Sequence, residues 1–217
     1  MIRPDITYAV SRLASVANGP SEGAWTAIKR LLRYLRGTVE MGLTYGGSEP
    51  LRGYSDANWA EGESGKATTG IVFTMNGGPI HWYSRRQNIV ALSTCEAEYI
   101  AASTATQDAA WIGPHVQELV GKIGEKEKLK EKPKEKPEEK PVPIMVDNQG
   151  AIALAKKDGW NRRTRHMNVR YQYVQQAVRE GKIKMEYVAS GEQLADGLTK
   201  ALKTELFERW RAKLGEN

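Results

Sequence analysis

The stretch 121–141, GKIGEKEKLKEKPKEKPEEKP, carries eight lysines, six glutamates and three prolines and almost nothing apolar. Such a segment cannot bury enough apolar surface to offset the entropy of ordering it. Any core must therefore come from the sequence on either side of it. Its charges nearly cancel, and i,i+4 ion pairs allow a single helix before Pro133 but not beyond it. An insertion of this length is tolerable when it loops outward, because loop closure costs only logarithmically with length. No catalytic role is assigned to it.

The remaining sequence changes period several times. Residues 3–17 place Ile6, Ala9, Val10, Leu13 and Val16 at helical spacing, with Pro4 in the first turn and Asn18-Gly19-Pro20 as a stop. Ser21 is the expected N-cap of a second helix with an apolar stripe through Trp25, Ile28, Leu31, Leu32 and Leu35, and Gly37 suits its C′ position. Short runs rich in β-branched and aromatic residues follow: MGLTYG (41–46), LRGYSDANW (51–59), TGIVFTM (69–75) and PIHWYS (79–84). Asn76-Gly77-Gly78 between the last two predicts a hairpin. A long helix is expected from about Ser93 to Val120, kinked or broken at Gly113-Pro114.

After the linker, VPIMVD (142–147) reads as a strand and NQGAIALAKK as a helix. TRHMNVRYQYVQQAVREG (164–181) is a longer helix stopped by Gly181, and KIKMEYV (182–188) alternates like a strand. Ser190 and Gln193 fit a capping box opening a helix over EQLADGLTKAL, and a last amphipathic helix covers about 204–214. A hairpin-rich region that later acquires βα units predicts an α/β fold: a mixed sheet with helices on its faces, preceded by a helical pair.

Composition excludes several classes. Apolar runs fall far short of the ~20 residues needed to cross a bilayer, and no signal segment opens the chain. Cys95 is the single cysteine, so an internal disulfide and a cysteine zinc cage are both ruled out. A soluble intracellular protein is the expectation. The net charge of +6 is compatible with a polyanionic partner.

Four acids sit where strands or helices deliver side chains to one end of such a sheet: Asp56 in YSDAN, Glu98 on the long helix, Asp147 ending PIMVD, and Asp196 in EQLAD. A single aspartate at a strand end is ordinarily a cap or turn former. Four carboxylates from separate elements carry more weight. Magnesium takes hard oxygen ligands, and two such ions ~4 Å apart can activate water and stabilise a leaving oxygen in phosphodiester hydrolysis.

The motifs YSDANWAEG, SRRQNIVALSTCEAEYIAAS, PIMVDNQGAIALAK, RTRHMNVRYQYVQQAV and VASGEQLADGLTKAL, in that order, resemble the ribonuclease H domain of copia-type LTR retrotransposon Pol polyproteins. The opening RPDITYAVSRLASVANGPSEGAWTAIKRLLRYLRGT is similar to the segment joining the reverse transcriptase to that domain. The resemblance implies a ribonuclease H-like fold, a five-stranded mixed sheet flanked by helices. It divides the chain into a connection segment, 1–47, and a nuclease domain, 48–217, carrying the 121–141 insertion. It implies cleavage of the RNA strand of RNA–DNA hybrids, with Asp56, Glu98, Asp147 and Asp196 as catalytic ligands of two Mg2+ ions, Mn2+ being able to substitute. The products would carry a 5′-phosphate and a 3′-hydroxyl. The implied partners are the hybrid and the reverse-transcriptase polymerase domain of the same or another Pol chain, with no membrane. The implied location is intracellular, in a cytoplasmic virus-like particle for an intact element.

Departures from the family pattern are visible. The Tyr-x-Asp-Asp turn of a reverse transcriptase is absent, and the loop VASGE lacks the histidine that cellular ribonucleases H often carry there. Asn168 stands where many relatives have an aspartate after His166. A start at Met1, two residues before RPDI, is expected either of a truncated element or of a reading frame cut from a longer one, and a remnant that binds nucleic acid without cutting it is the alternative reading. A transposase or integrase core fits less well, because it needs a glutamate on a late helix in place of Asp196.

Candidate nucleic-acid contacts are Arg85, Arg86, Arg163, Arg165 and His166 for phosphates, and Ser55, Asn58, Ser93, Asn148 and Gln149 for sugar hydroxyls. Solvated loops and core packing are their ordinary alternatives. The two glutamates of STCEAEYIAAS separate on a helical wheel at about 100° per residue. Glu98 shares a small apolar stripe with Ala91, Thr94, Cys95, Ala101, Ala102, Ala105, Ala109 and Ile112. Glu96 points nearly opposite and completes a capping box with Ser93. A structural role is expected for Glu96 and the chemical one for Glu98.

Overall fold

The structure, a computed structural model, describes residues 2–59, 65–127, 140–157 and 168–216. A short 3-10 turn, Pro4–Ile6, leads into α1 (Thr7–Ala14), and α2 (Glu22–Gly37) follows. Ser21 caps α2 as expected, its Oγ accepting from the Ala24 N–H at 3.2 Å. Gly37 is the last helical residue and not the residue beyond the cap. The apolar stripe of α2 is only partly covered, because Trp25 and Leu32 stay exposed while Ile28, Leu31 and Leu35 are half-buried.

The sheet is built from β1 (Arg52–Asn58), β2 (Thr68–Met75), β3 (Gly78–Arg86), β4 (Val142–Val146) and β5 (Ile183–Tyr187). Its order is β3-β2-β1-β4-β5. The first three strands are antiparallel, whereas β4 runs parallel to β1 and to β5. The hairpin turn is where the sequence places it: Asn76 (φ 54°) and Gly77 (φ 82°) both adopt the left-handed conformation, and Met75 pairs with Gly78. This mixed five-stranded α/β arrangement is the expected one.

Between β3 and β4 runs α3 (Thr94–Glu127), and α4 (Gln149–Lys156) and α5 (Asn168–Arg179) lie between β4 and β5. One core forms where α3, α4 and α5 meet the sheet through Ile71, Phe73, Tyr99, Ile144, Val174 and Ile183. A smaller cluster on the other face joins Val72, Leu194, Leu198, Trp210 and Leu214, the last two belonging to or adjoining α6 (Thr204–Lys213).

Four local expectations change. MGLTYG is not a strand: Leu43 makes one isolated bridge to Glu216, and the Gly46 and Gly47 N–H groups are used on the Asn76 carbonyl, each at 3.1 Å. The helix expected over EQLADGLTKAL is replaced by two 3-10 turns, Ser190–Glu192 and Asp196–Leu198. Trp210 presses on this segment so closely that a Cβ on Gly197 would stand 2.4 Å from its ring. Next, α3 does not break at Pro114, because Ile112 and Val116 pack on the same core before and after it. Finally, both Glu96 and Glu98 are buried. The helix is covered on its second side by α5, where Tyr99 stacks on Tyr171 with ring centroids 4.1 Å apart. Residues 128–139 of the insertion lie outside the described residues.

Candidate active site

Alternation along β1 puts Tyr54, Asp56 and Asn58 on one face. Tyr54 belongs to the Trp210 cluster there, while Ala57 on the opposite face belongs to the α3 core. Asp56 is thereby a buried carboxylate in the middle strand, 5% exposed. Gly53 pairs with Ile144 and Tyr54 with Met145 in the parallel β1–β4 ladder. The same offset continued sets Asp147 beside Asp56. Asp147 is free of capping duty, because Asn148 caps α4 through an Oδ1 that accepts from the Ala151 N–H at 3.0 Å. Asp147 Oδ2 instead accepts from the Ser190 hydroxyl at 3.0 Å.

Asp196 arrives on the face that Asp56 shares with the Trp210 cluster. Its turn can approach because β2 has Gly70, the cross-strand partner of Asp56. A Cβ at Gly70 would stand 2.8 Å from the Ala195 carbonyl and 2.7 Å from Thr199 Cγ2. Gln193, 3% exposed, ties the segment down by donating to the Ser55 carbonyl at 3.1 Å and the Met145 carbonyl at 3.4 Å, one on each parallel strand. Asp56, Asp147 and Asp196 each offer a carboxylate oxygen within 4.8 Å of the others.

Glu98 approaches from α3 and is buried. Its carboxyl is pushed up to about 9 by burial, then by Asp56 and Asp147, with the Ala57 N–H offsetting part of the effect. Burial pushes Asp56 up to about 6, with Asp196 and Asp147 adding to the rise while the Thr199 hydroxyl and Lys200 oppose it. Such shifts are expected where several acids share a site without enough positive charge. Glu98 Oε2 and Asp196 Oδ1 are buried without a hydrogen-bond partner among the described residues. Oxygen-only ligands, two orphaned carboxylate oxygens and mutual repulsion fit a hard divalent cation.

Two site residues escape the sequence reading. The Thr199 hydroxyl donates to Asp56 Oδ2 and also lies 3.0 Å from the Asp196 carbonyl. The Lys200 ammonium is 2.8 Å from Asp196 Oδ2. Burial alone would lower the Lys200 pKa, but Asp196, Asp56 and Asp147 together hold it above its ordinary value. The i,i+4 spacing of Asp196 and Lys200 was the one signal available, and it describes an ordinary helical ion pair.

The Glu96 expectation corresponds to a real cap. Ser93 Oγ accepts from the Glu96 N–H at 3.2 Å, and Glu96 Oε2 accepts from the Leu92 N–H at 2.9 Å, one residue before the position a capping box uses. Of the nucleic-acid candidates, Asn58 ends β1 and donates to the Thr199 carbonyl at 3.4 Å. Arg86 pairs with Thr68 and so with the level of Asn58, at the carboxylate end of the sheet. Arg85 is exposed and lies over the Tyr83 ring, 5.4 Å from its centroid. Gln149 and Ser93 are exposed, Asn148 is engaged in its cap, and Ser55 is fully buried in β1. Arg163, Arg165 and His166 lie outside the described residues.

No family model matches the chain. The Pol polyprotein of tobacco transposon TNT 1-94 is 37% identical over 215 residues, covering 98% of this chain and 15% of that protein. The Pol polyprotein of Arabidopsis thaliana transposon RE2 is 32% identical over 216 residues, 98% of this chain and 14% of that protein. Among solved structures, LC11-RNase H1 isolated from compost aligns with a TM-score of 0.47 and 17% identity, over 73% of this chain and 96% of that one. Among the described residues, no helix is long and apolar enough to cross a membrane. Along nearly its whole length the chain is similar to copia-type retrotransposon Pol polyproteins, and it spans 14–15% of the length of these relatives.

Proposed function

We propose that the chain is a divalent-metal-dependent endonuclease that cuts the RNA strand of an RNA–DNA hybrid during retrotransposon reverse transcription. The observation that carries this reading is the convergence of Asp56, Asp147 and Asp196 within 4.8 Å, with Glu98 buried against them. Asp56 and Asp147 come from adjacent parallel strands, Glu98 from α3 and Asp196 from the 3-10 turn, and these four carboxylates would hold the ions. When bound, two Mg2+ or Mn2+ ions supply an activated water and charge stabilisation at the phosphodiester. Thr199 fixes the Asp56 carboxylate and Ser190 fixes Asp147, so the ligand oxygens are oriented before substrate arrives.

The nucleic acid is read by groups at the same end of the sheet. Arg85 and Arg86 contact phosphates, and Asn58, Ser93 and Gln149 face sugar hydroxyls. Recognition of the 2′-OH is what distinguishes the RNA strand from the DNA strand. Residues 1–47 form the connection toward a polymerase domain of a Pol chain, and 48–217 form the nuclease domain.

A hybrid labelled on its RNA strand tests the reading. With Mg2+ the protein yields fragments ending in 5′-phosphate and 3′-hydroxyl, and Asp147→Asn yields none while keeping its circular-dichroism spectrum. Hybrid binding without cleavage in either Mg2+ or Mn2+ would instead assign the chain as a non-catalytic binding remnant.

A further inference from the structure

Lys200 occupies an unusual position for a lysine. The Thr199 and Lys200 N–H groups both donate to the Asp196 carbonyl, at 3.1 and 3.2 Å, and this turn carries the Lys200 side chain back over the Asp196 carboxylate. Its ammonium sits 2.8 Å from Asp196 Oδ2. The Asp196 side chain is 17% exposed and the Lys200 side chain 44% exposed. One end of the pair therefore belongs to the carboxylate cluster and the other has open access to water. Lysine is a compact point charge on a flexible stem, which can leave one geometry without dismantling the backbone.

We propose that Lys200 is a displaceable counter-cation: in the metal-free protein its ammonium neutralises Asp196, and a divalent ion enters by taking Asp196 Oδ2 from it. The inference rests on the reading of the carboxylates as a metal site. Lys200 is a positioning residue, acting through Asp196. The exchange replaces one positive charge by two, so a divalent ion wins at sufficient concentration and a monovalent ion does not.

Calorimetric titration of the full chain with MgCl2 and with MnCl2, without nucleic acid, separates the possibilities. Lys200→Met removes the competitor, and its divalent-ion affinity rises by roughly 3- to 10-fold, the effect of losing one partly exposed ion pair. The same variant melts at a lower temperature than wild type in EDTA, and saturating Mn2+ closes that gap. Lys200→Arg keeps a cation over Asp196 and shows no rise in affinity. Lys184→Met removes a lysine paired with Glu186 on β5, at 2.6 Å, and leaves divalent-ion affinity unchanged. Wild-type binding with unchanged or weaker binding by Lys200→Met would overturn the counter-cation role and leave the metal site standing. Absence of divalent-ion binding in both proteins would overturn the metal site itself, and the role of Lys200 with it.

Discussion

Among the described residues are two buried clusters of acids, and their difference bears on which of them the proposed function uses. At the meeting of the two chain termini, Asp5 is buried and fully partnered. Arg3 donates to both of its oxygens, at 3.0 and 2.7 Å, and the Tyr34 hydroxyl donates at 2.6 Å. Arg3 also reaches the Thr38 carbonyl and hydroxyl, and Arg211 donates to the Tyr34 hydroxyl at 3.1 Å. Glu216 joins through the Asp5 N–H at 3.2 Å on Oε1, while its Oε2 is buried without a hydrogen-bond partner among the described residues, so this cluster differs in its two guanidinium groups and not in lacking an orphaned oxygen. At the end of β1 and β4, by contrast, four carboxylates meet one lysine and two hydroxyls, and Asp196 Oδ1 and Glu98 Oε2 are left orphaned. Matched guanidinium and carboxylate groups make a clasp. Surplus carboxylates make a site that waits for a cation.

The strongest way to break this contrast is to remove an acid from each cluster. Glu98→Gln or Asp147→Asn lowers hybrid cleavage by ~100-fold or more, as the loss of several kcal/mol of charge stabilisation implies. Neither lowers stability in EDTA, because each relieves repulsion. Asp5→Ala does the reverse. It strands Arg3, whose side chain is 13% exposed, and lowers unfolding free energy by about 3 kcal/mol in denaturant titration, while divalent-ion affinity stays at the wild-type value.

A smaller effect sharpens the comparison through pH. Burial and the neighbouring Asp5 push Glu216 up to about 7 from an ordinary 4.5, with the Asp5 N–H, Arg3 and Arg211 opposing. A carboxyl raised in the folded state binds its proton more tightly there than when unfolded, so its contribution to stability is lost as pH rises between about 4.5 and 7. Asp56 and Glu98 act with the same sign, over windows reaching about 6 and about 9. Melting temperature measured against pH in EDTA therefore falls through this range. Saturating Mg2+ removes the portion due to Asp56 and Glu98, and Glu216→Gln removes the portion below pH 7 that Mg2+ leaves. A profile insensitive to Mg2+ would erase the distinction between the clusters.

The smallest expected change is at Glu96. Glu96→Ala loses the bond to the Leu92 N–H at the start of α3 and costs about 1 kcal/mol of stability, with cleavage unchanged. Retained cleavage here beside lost cleavage in Glu98→Gln separates two glutamates that are equally buried.

What the sequence disclosed and what it hid follow the range of the forces involved. The hairpin turn at Asn76-Gly77, the Ser21 cap and the alternation of β1 are local, and local chemistry fixed them. Asp56, Glu98 and Asp147 were legible because strand ends and helix faces sort side chains by period, whereas Asp196 was picked out by the motif EQLAD although the helix expected there does not form. The contacts that orient them were not. Thr199 and Lys200 reach Asp56 and Asp196 only because Gly70 and Gly197 let the last turn close on the sheet and on Trp210. That same compression cancels the helix expected from a Ser190–Gln193 capping box, and reassigns Ser190 to Asp147 and Gln193 to the strand carbonyls. The burial of Glu96 was likewise hidden, because it depends on α5, which arrives some seventy residues later.

The measurement that bears most directly on the contrast is anomalous diffraction from crystals of the protein grown with Mn2+. The account predicts a manganese peak among Asp56, Asp147 and Asp196, with the Lys200 ammonium withdrawn from Asp196, and none beside Asp5 and Glu216. A carboxylate cluster without manganese, or a peak at the terminal clasp, would contradict it.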